Sequence, residues 1–108
     1  MKSKNIKVGN RKYTILLLTD EDFDQTLSKK GVDDVDIKSF IDYDDQIICV
    51  RSRLKQDHRQ ELILHELLHA CAEDAGLKQD EKFEEFVLSF SPRLSVLISS
   101  GLQDILID

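Results

Sequence analysis

The stretch from His58 to Ala75 has the clearest helical pattern in the chain, and the rest of the fold has to be arranged around it. Asp57 followed three residues later by Gln60 is typical of a capping box at a helix N-terminus. Gly76, just after the last helical position, supplies a C-terminal stop. The sequence therefore predicts one helix of about five turns here.

Two histidines of this helix, His65 and His69, lie four residues apart. Residues at that spacing share one helix face, so both imidazoles can reach a single point. Neutral imidazole is a zinc ligand, and a catalytic zinc site uses three protein ligands and leaves the fourth position to water. Glu66 flanks the same face, where it can accept a proton from an attacking water. The pattern predicts a zinc site for hydrolysis, with two ordinary core histidines as the alternative.

A third metal ligand has to come from another element, because Glu73, one more turn along, reaches this point poorly. Asp80 is a candidate N-cap for a second helix, which can pack antiparallel against the first. Apolar spacing predicts the inner face of that helix: Phe83, Val87, Phe90, Leu94 and Leu97. Glu84 flanks this face and is the ligand that we predict, with Glu85 and Asp80 as alternatives.

The second helix should begin near Glu81, and Ser91-Pro92 falls in its middle. These two residues can be the cap and first position of a new helix. They can equally mark a kink in one continuous helix. The sequence leaves both arrangements open.

The first half of the chain favours strands. Gly9-Asn10 tolerates the positive φ of a tight turn, which predicts a hairpin over residues 7–18. Residues 20–30, followed by Gly31, predict a short helix. Apolar, β-branched stretches on both sides of Asp44-Asp45 predict a second hairpin over residues 40–50. Strands that precede helices predict an α+β fold, built as one domain of residues 1–108.

Other polar residues are weaker candidates for the site. His58 can contact substrate at the helix entrance, or it can be an ordinary polar residue of the first turn. Three residues that flank the second hairpin are candidate oxyanion donors: Tyr43, Arg51 and Arg53. The strand of residues 46–50 can bind an extended peptide along its edge, or it can be an ordinary sheet strand.

Composition and charge narrow the expected partners. The formal net charge of -6 argues against a nucleic-acid partner. No apolar run approaches the roughly 20 residues that span a bilayer, and the N-terminus lacks a signal-peptide pattern, so we expect a cytoplasmic protein without a membrane partner.

Cys49 and Cys71 each lie in an apolar run, which predicts two buried thiols rather than a disulfide.

The chain resembles the small zincin-like metallopeptidases of phages and mobile elements, which are related to the ImmA/IrrE peptidases. The resemblance covers roughly residues 37–98. It is carried by the hairpin with the acidic turn, by His65-Glu66-Leu67-Leu68-His69, and by a second helix in which Glu84 precedes these residues: Val87, Phe90, Ser91 and Leu94. Leu88 stands where the ImmA/IrrE pattern has asparagine, and Pro92 also departs from it.

This resemblance implies a minimal zincin-like metallopeptidase core, in which a small antiparallel-rich sheet precedes the HExxH helix and a C-terminal helix. It implies zinc (Zn2+) bound by His65, His69 and Glu84, with Glu66 as general base, and a protein or peptide substrate such as a repressor. We therefore expect a phage- or prophage-encoded zinc peptidase of the bacterial cytoplasm. Two alternatives stay open: an inactive zincin-fold module that binds or regulates, and a structural zinc site closed by Asp80 or Glu85.

Overall fold

The computed structural model describes residues 2–34 and 36–106. Within these ranges four strands and four helices follow one another: β1 Lys2–Val8, β2 Arg11–Leu18, α1 Asp20–Lys29, β3 Ser39–Asp42, β4 Ile47–Arg51, α2 Gln56–Ala75, α3 Glu81–Ser99 and α4 Leu102–Leu106. The predicted α+β class is confirmed, and so are the second hairpin and the short helix after the first hairpin. The first hairpin is confirmed at its turn, but β1 begins at Lys2 rather than at the predicted Lys7. No helix of the described ranges is long and apolar enough to cross a membrane.

The strands form one sheet in the order β1-β2-β4-β3. Each hairpin is antiparallel, but the hairpins are joined by parallel pairing of β2 with β4, so the sheet is mixed. The interpretation of residues 46–50 as a peptide-binding edge is wrong, because β4 is paired with a strand on each side. The edge on that side of the sheet is β3.

The sheet separates two apolar layers. Ile48 and Val50 of β4 pack in one cluster with Tyr13 and with Ala70 of α2. Cys49, which points to the opposite face, packs with residues of α1 and β2: Leu18, Phe23 and Leu27. The sheet therefore lies between α1 and α2.

The two cysteines differ in their surroundings. Cys49 is fully buried, as predicted, and burial raises the pKa of its thiol to about 11. The prediction for Cys71 is wrong, because its side chain is exposed on α2 while the neighbouring Ala70 faces the core. Both thiols are free.

The N-terminal boundary of α2 differs from the prediction. The helix begins at Gln56, and the capping position is Lys55, which makes no side-chain cap hydrogen bond. The capping box predicted at Asp57 is therefore wrong. Asp57 lies in the first turn of α2, where its negative charge interacts favourably with the helix dipole. At the other end, Gly76 adopts φ 69°, ψ 25°, which confirms the predicted left-handed stop.

Helix α3 begins as predicted, with the Asp80 carboxylate accepting a hydrogen bond from the Phe83 backbone N–H at 3.0 Å. The helix continues through Pro92, so the alternative of a new helix at this point is wrong. Its buried residues are Val87, Ser91 and Ser95. The predicted apolar face is therefore wrong in part, since Phe90 and Leu97 are exposed.

Helices α2 and α3 pack antiparallel. Near the start of α2, the Gln60 amide donates to the Ser95 carbonyl at 2.9 Å and to the Ser99 hydroxyl at 3.0 Å, both near the end of α3. Near the end of α2, the ring of His69 lies 5.5 Å from that of Phe83 in the first turn of α3. This packing brings the HExxH face against the start of α3.

Candidate metal centre

The two histidines of α2 lie on one face, as their spacing predicts. Their ring centroids are 5.1 Å apart, and their side chains are 21% exposed for His65 and 14% exposed for His69. The rings are thus shielded from most of the solvent but still accessible. Their Nε2 atoms point towards α3 and meet a carboxylate there.

That carboxylate belongs to Glu84. Its Oε1 lies 3.5 Å from Nε2 of His65, and its Oε2 lies 3.0 Å from Nε2 of His69. One ligand atom from each of the three residues lies within 4.8 Å of the others. Ligands about 2.0 to 2.1 Å from a tetrahedral zinc are about 3.4 Å apart, and the distances from Glu84 to the two histidines are already close to this value.

The alternative third ligands are placed elsewhere. Glu85 is exposed on α3. The carboxylate of Asp80 caps the same helix, and the carboxylate of Glu73 lies 3.4 Å from the side-chain amide of Gln79. The structure therefore brings Glu84, and not the alternatives, against both histidines.

The hydrogen-bond partners of His69 supply a test of whether a cation fits. Its Nδ1 lies 2.6 Å from Oε1 of Gln79, and its Nε2 faces the Glu84 carboxylate on the other side of the ring. A neutral imidazole has only one N–H, so one of these two oxygen atoms faces a nitrogen lone pair. A positive charge between Nε2 and the carboxylate, either a proton or a zinc ion, removes this repulsion, so the arrangement fits a bound cation. Two imidazoles and one carboxylate are also the ligand set of a known class of catalytic zinc sites.

Glu66 lies beside the histidines and is only 6% exposed. Its Oε2 accepts a hydrogen bond from the Ser39 hydroxyl at 2.8 Å. Burial raises the pKa of Glu66, and the Ser39 hydrogen bond and the nearby His65 counteract this in part. The carboxylate is therefore both fixed in place and more basic than an exposed glutamate.

Three phenylalanines of α3 continue the surface of the site. The ring of Phe83 contacts His69, the ring of Phe86 lies 5.9 Å from Phe83, and that of Phe90 lies 4.5 Å from Phe86. Phe86 is 42% exposed and Phe90 is 45% exposed. An apolar strip thus leads from the histidines along the outside of α3.

The arginines proposed as oxyanion donors do not lie at this site, so that prediction is wrong. Arg51 is 2% exposed and alternates with Val50, which places it on the α1 face of the sheet. Its guanidinium donates to Asp20 at 3.1 Å and to Asp24 at 2.7 Å. Arg53 also donates to Asp20, at 2.8 Å.

Tyr43 lies closer to the candidate centre than the arginines do, but its hydroxyl is already engaged. It donates to Oε1 of Gln79 at 3.2 Å, and burial raises the pKa of the phenol. Sequence reasoning missed both Gln79 and Ser39. Each is a single polar residue without a repeating pattern, so nothing in the sequence distinguishes them.

His58 does not join the candidate centre. It lies seven residues before His65, roughly 10 Å along the helix axis. There it lines a surface depression of about 450 Å³ together with Pro92 and Val96 of α3. Its surroundings fit an ordinary polar residue of the first helical turn.

Comparisons of the chain with protein families, with curated proteins and with solved structures found no match.

Proposed function

We propose that this chain is a zinc-dependent peptidase with a zincin-like core. The observation that carries the proposal is the Glu84 carboxylate, which lies within 3.5 Å of an imidazole nitrogen of both His65 and His69. The buried carboxylate of Glu66 lies close enough to His65, His69 and Glu84 to interact with them electrostatically. Together these groups supply three candidate ligands and one candidate base, a set with which metal-assisted hydrolysis can proceed.

The roles of the residues follow from their chemistry. His65, His69 and Glu84 would hold the metal, which when bound supplies a water acidified towards neutral pH and polarises a carbonyl group. Glu66 accepts the proton of the attacking water and returns it to the leaving amine. Ser39 holds Oε2 of Glu66, which leaves Oε1 for this proton transfer.

The position of β3 favours a peptide as substrate. Its first residue, Ser39, contacts Glu66, and β3 lies at the edge of the sheet. An extended peptide can pair with an edge strand through main-chain hydrogen bonds. A peptide paired with β3 would pass close to the Glu66 carboxylate. The resemblance to phage zincin-like peptidases favours a protein of the bacterial cytoplasm, such as a repressor, as the natural substrate.

One alternative has an observation in its favour. The exposed rings of Phe86 and Phe90 form an apolar surface that suits a module which binds a partner and hydrolyses nothing. A closed structural zinc site has less support, because the cluster found among residues 2–34 and 36–106 has three members and a structural site needs four.

Metal content tests the proposed ligands. Protein without a histidine tag is loaded with zinc, freed of excess metal and analysed for zinc per chain. We expect about one zinc in the parent and in Glu85→Ala, and loss of zinc in His65→Ala and Glu84→Ala. Equal zinc content in all four proteins, or none in the parent, would contradict the site.

Peptide hydrolysis separates the enzyme from the binding module. The parent is tested on a peptide library beside Glu66→Gln, which keeps the shape of the side chain but cannot accept the proton. We expect turnover by the parent, loss of turnover in Glu66→Gln, and equal zinc content in both. Zinc-loaded parent that cleaves nothing in the library or in candidate repressors would favour the binding module.

A further inference from the structure

The side chain of Gln79 connects three groups behind the candidate metal centre. Gln79 lies in the loop between α2 and α3. Its Oε1 is 3.2 Å from the Tyr43 hydroxyl and 2.6 Å from Nδ1 of His69. Its Nε2 is 3.4 Å from Oε2 of Glu73. These contacts determine which way the amide points.

The Glu73 carboxylate can only accept hydrogen bonds, so it requires the NH₂ group of Gln79 on its side. An amide turned by 180° would place Oε1 against this carboxylate, which is unfavourable. The Tyr43 hydroxyl can donate or accept, so it is satisfied in this orientation and the choice rests on Glu73. The oxygen of Gln79 therefore faces His69.

An amide oxygen opposite Nδ1 requires the proton of a neutral His69 ring to be on Nδ1. Its Nε2 then carries the lone pair, and this is the atom that faces Glu84 at 3.0 Å. We infer that Gln79 is a positioning residue that holds His69 in the Nδ1–H tautomer, and so presents Nε2 to the metal. The role in metal binding rests on the proposed function, whereas the tautomer can be measured without metal.

Residues that hydrogen-bond a metal-ligating histidine commonly change its metal affinity. A hydrogen-bond acceptor behind a ligating histidine fixes the ring orientation and raises its basicity, and its loss typically costs 10- to 100-fold in affinity. The 2.6 Å contact makes Gln79 such an acceptor for His69. Glu73 and Tyr43 contribute by fixing the amide rather than by touching the ring.

The first experiment measures the tautomer in metal-free protein. The Glu84→Ala background is used, because it removes the competing carboxylate on the Nε2 side and also removes a zinc ligand. Ring ¹⁵N chemical shifts of His69, recorded at pH 8.5, are expected to show the Nδ1–H form. In Glu84→Ala with Gln79→Leu the Nε2–H form should dominate. An Nε2–H ring while Gln79 is present would overturn the inference.

The second experiment measures zinc affinity by competition with a chelator. We expect Gln79→Leu to bind zinc about 10- to 100-fold more weakly than the parent. The exchange Glu73→Gln with Gln79→Glu keeps the net charge and reverses the hydrogen bond between these two side chains, but it still presents an acceptor oxygen to Nδ1 of His69, so it should bind zinc at least as tightly as the parent. Gln103→Leu, which removes an exposed glutamine of α4, is the matched control and should bind like the parent.

The two results distinguish the possible failures. If the parent binds zinc and Gln79→Leu binds it equally well, the inference is wrong and the proposed site stands. If the parent binds no zinc, the proposed function fails, and the ¹⁵N measurement still decides whether Gln79 sets the tautomer. Zinc binding by the Glu73–Gln79 exchange as weak as that of Gln79→Leu would contradict the inference, because an acceptor would then face Nδ1 without raising the affinity.

Discussion

The Ser39 hydroxyl donates a 2.8 Å hydrogen bond to Oε2 of Glu66 and so connects the edge strand to the HExxH helix. The carboxylate is 6% exposed, so little water is available to replace this bond. A carboxylate that is to accept a proton from a water molecule must be held in one orientation, and a hydrogen bond of this kind holds it there. The sheet therefore contributes to the site although all three candidate metal ligands lie on helices.

Ser39→Ala should lower kcat/KM for peptide hydrolysis about 10-fold, because one hydrogen bond to a buried charged group contributes on the order of 1.5 kcal/mol. Zinc content should not change, since Ser39 does not contact the ligands. Ser39→Thr keeps the hydroxyl and should retain most of the activity. Activity of Ser39→Ala equal to that of the parent would show that the bond does not position Glu66.

Glu66→Gln should change the pH dependence of stability in metal-free protein. Burial raises the pKa of Glu66 above its ordinary 4.5, so the folded state binds this proton more tightly than the unfolded state. The bound proton therefore stabilises the fold fully at pH values below the ordinary pKa. This stabilisation is lost as the pH rises through the raised pKa of the folded state. The glutamine variant should therefore be more stable than the parent at pH 8, and the advantage should shrink towards pH 4.

Urea unfolding in the presence of a chelator measures this difference at both pH values. Glu85→Gln is the matched control, since it removes a glutamate that is exposed on α3. A parent that is more stable than Glu66→Gln at pH 8 would mean that the buried carboxylate is better stabilised as an anion than its surroundings indicate.

Zinc should stabilise the fold against heat. A ligand at 100 times its Kd adds about 2.7 kcal/mol to the free energy of unfolding, which corresponds to a rise in Tm of about 10 °C for a domain of this size. Differential scanning fluorimetry with and without zinc measures the shift. Glu84→Ala should lose most of it, and an undiminished shift in that variant would exclude its carboxylate as a ligand.

Arg51→Leu should destabilise the fold by about 2 kcal/mol, because it removes charge-assisted hydrogen bonds from a buried guanidinium. Arg53→Leu, at a side chain that is 57% exposed, should stay within about 0.5 kcal/mol of the parent. Neither variant should change zinc content, because both arginines pair with Asp20 of α1 and not with a residue of the candidate metal centre. Urea unfolding and metal analysis check both points, and selective zinc loss in folded Arg51→Leu would place this residue near the site after all.

Elements with local signals could be predicted from the sequence. The Gly9-Asn10 turn, the Gly76 stop and the Asp80 cap each act within a few residues, and all three are confirmed. The placement of Glu84 opposite the histidines could also be predicted, because helical periodicity defines one face on each helix and only a short loop separates the two helices. Its role as a metal ligand stays a prediction.

Features that depend on distant partners could not be predicted. The parallel pairing of β2 with β4 joins segments separated by α1 and β3, and no local pattern encodes it. The inner face of α3 contains Ser91 and Ser95, because small residues let α2 approach closely. The spacing of apolar residues in the sequence predicts Phe90 on that face instead. Ser39 and Gln79 act through single contacts with α2, which leave no periodic signal in the sequence.

The antiparallel packing of α2 and α3 has a consequence for how separable the two parts of the candidate centre are. His65, His69 and Glu84 all belong to this helix pair, whereas the hydrogen bond from Ser39 to Glu66 ties α2 to the sheet. The three candidate ligands therefore depend only on the packing of two consecutive helices. The orientation of the Glu66 carboxylate depends in addition on the edge strand, so a disturbance of β3 can disorient Glu66 while the ligand cluster stays together.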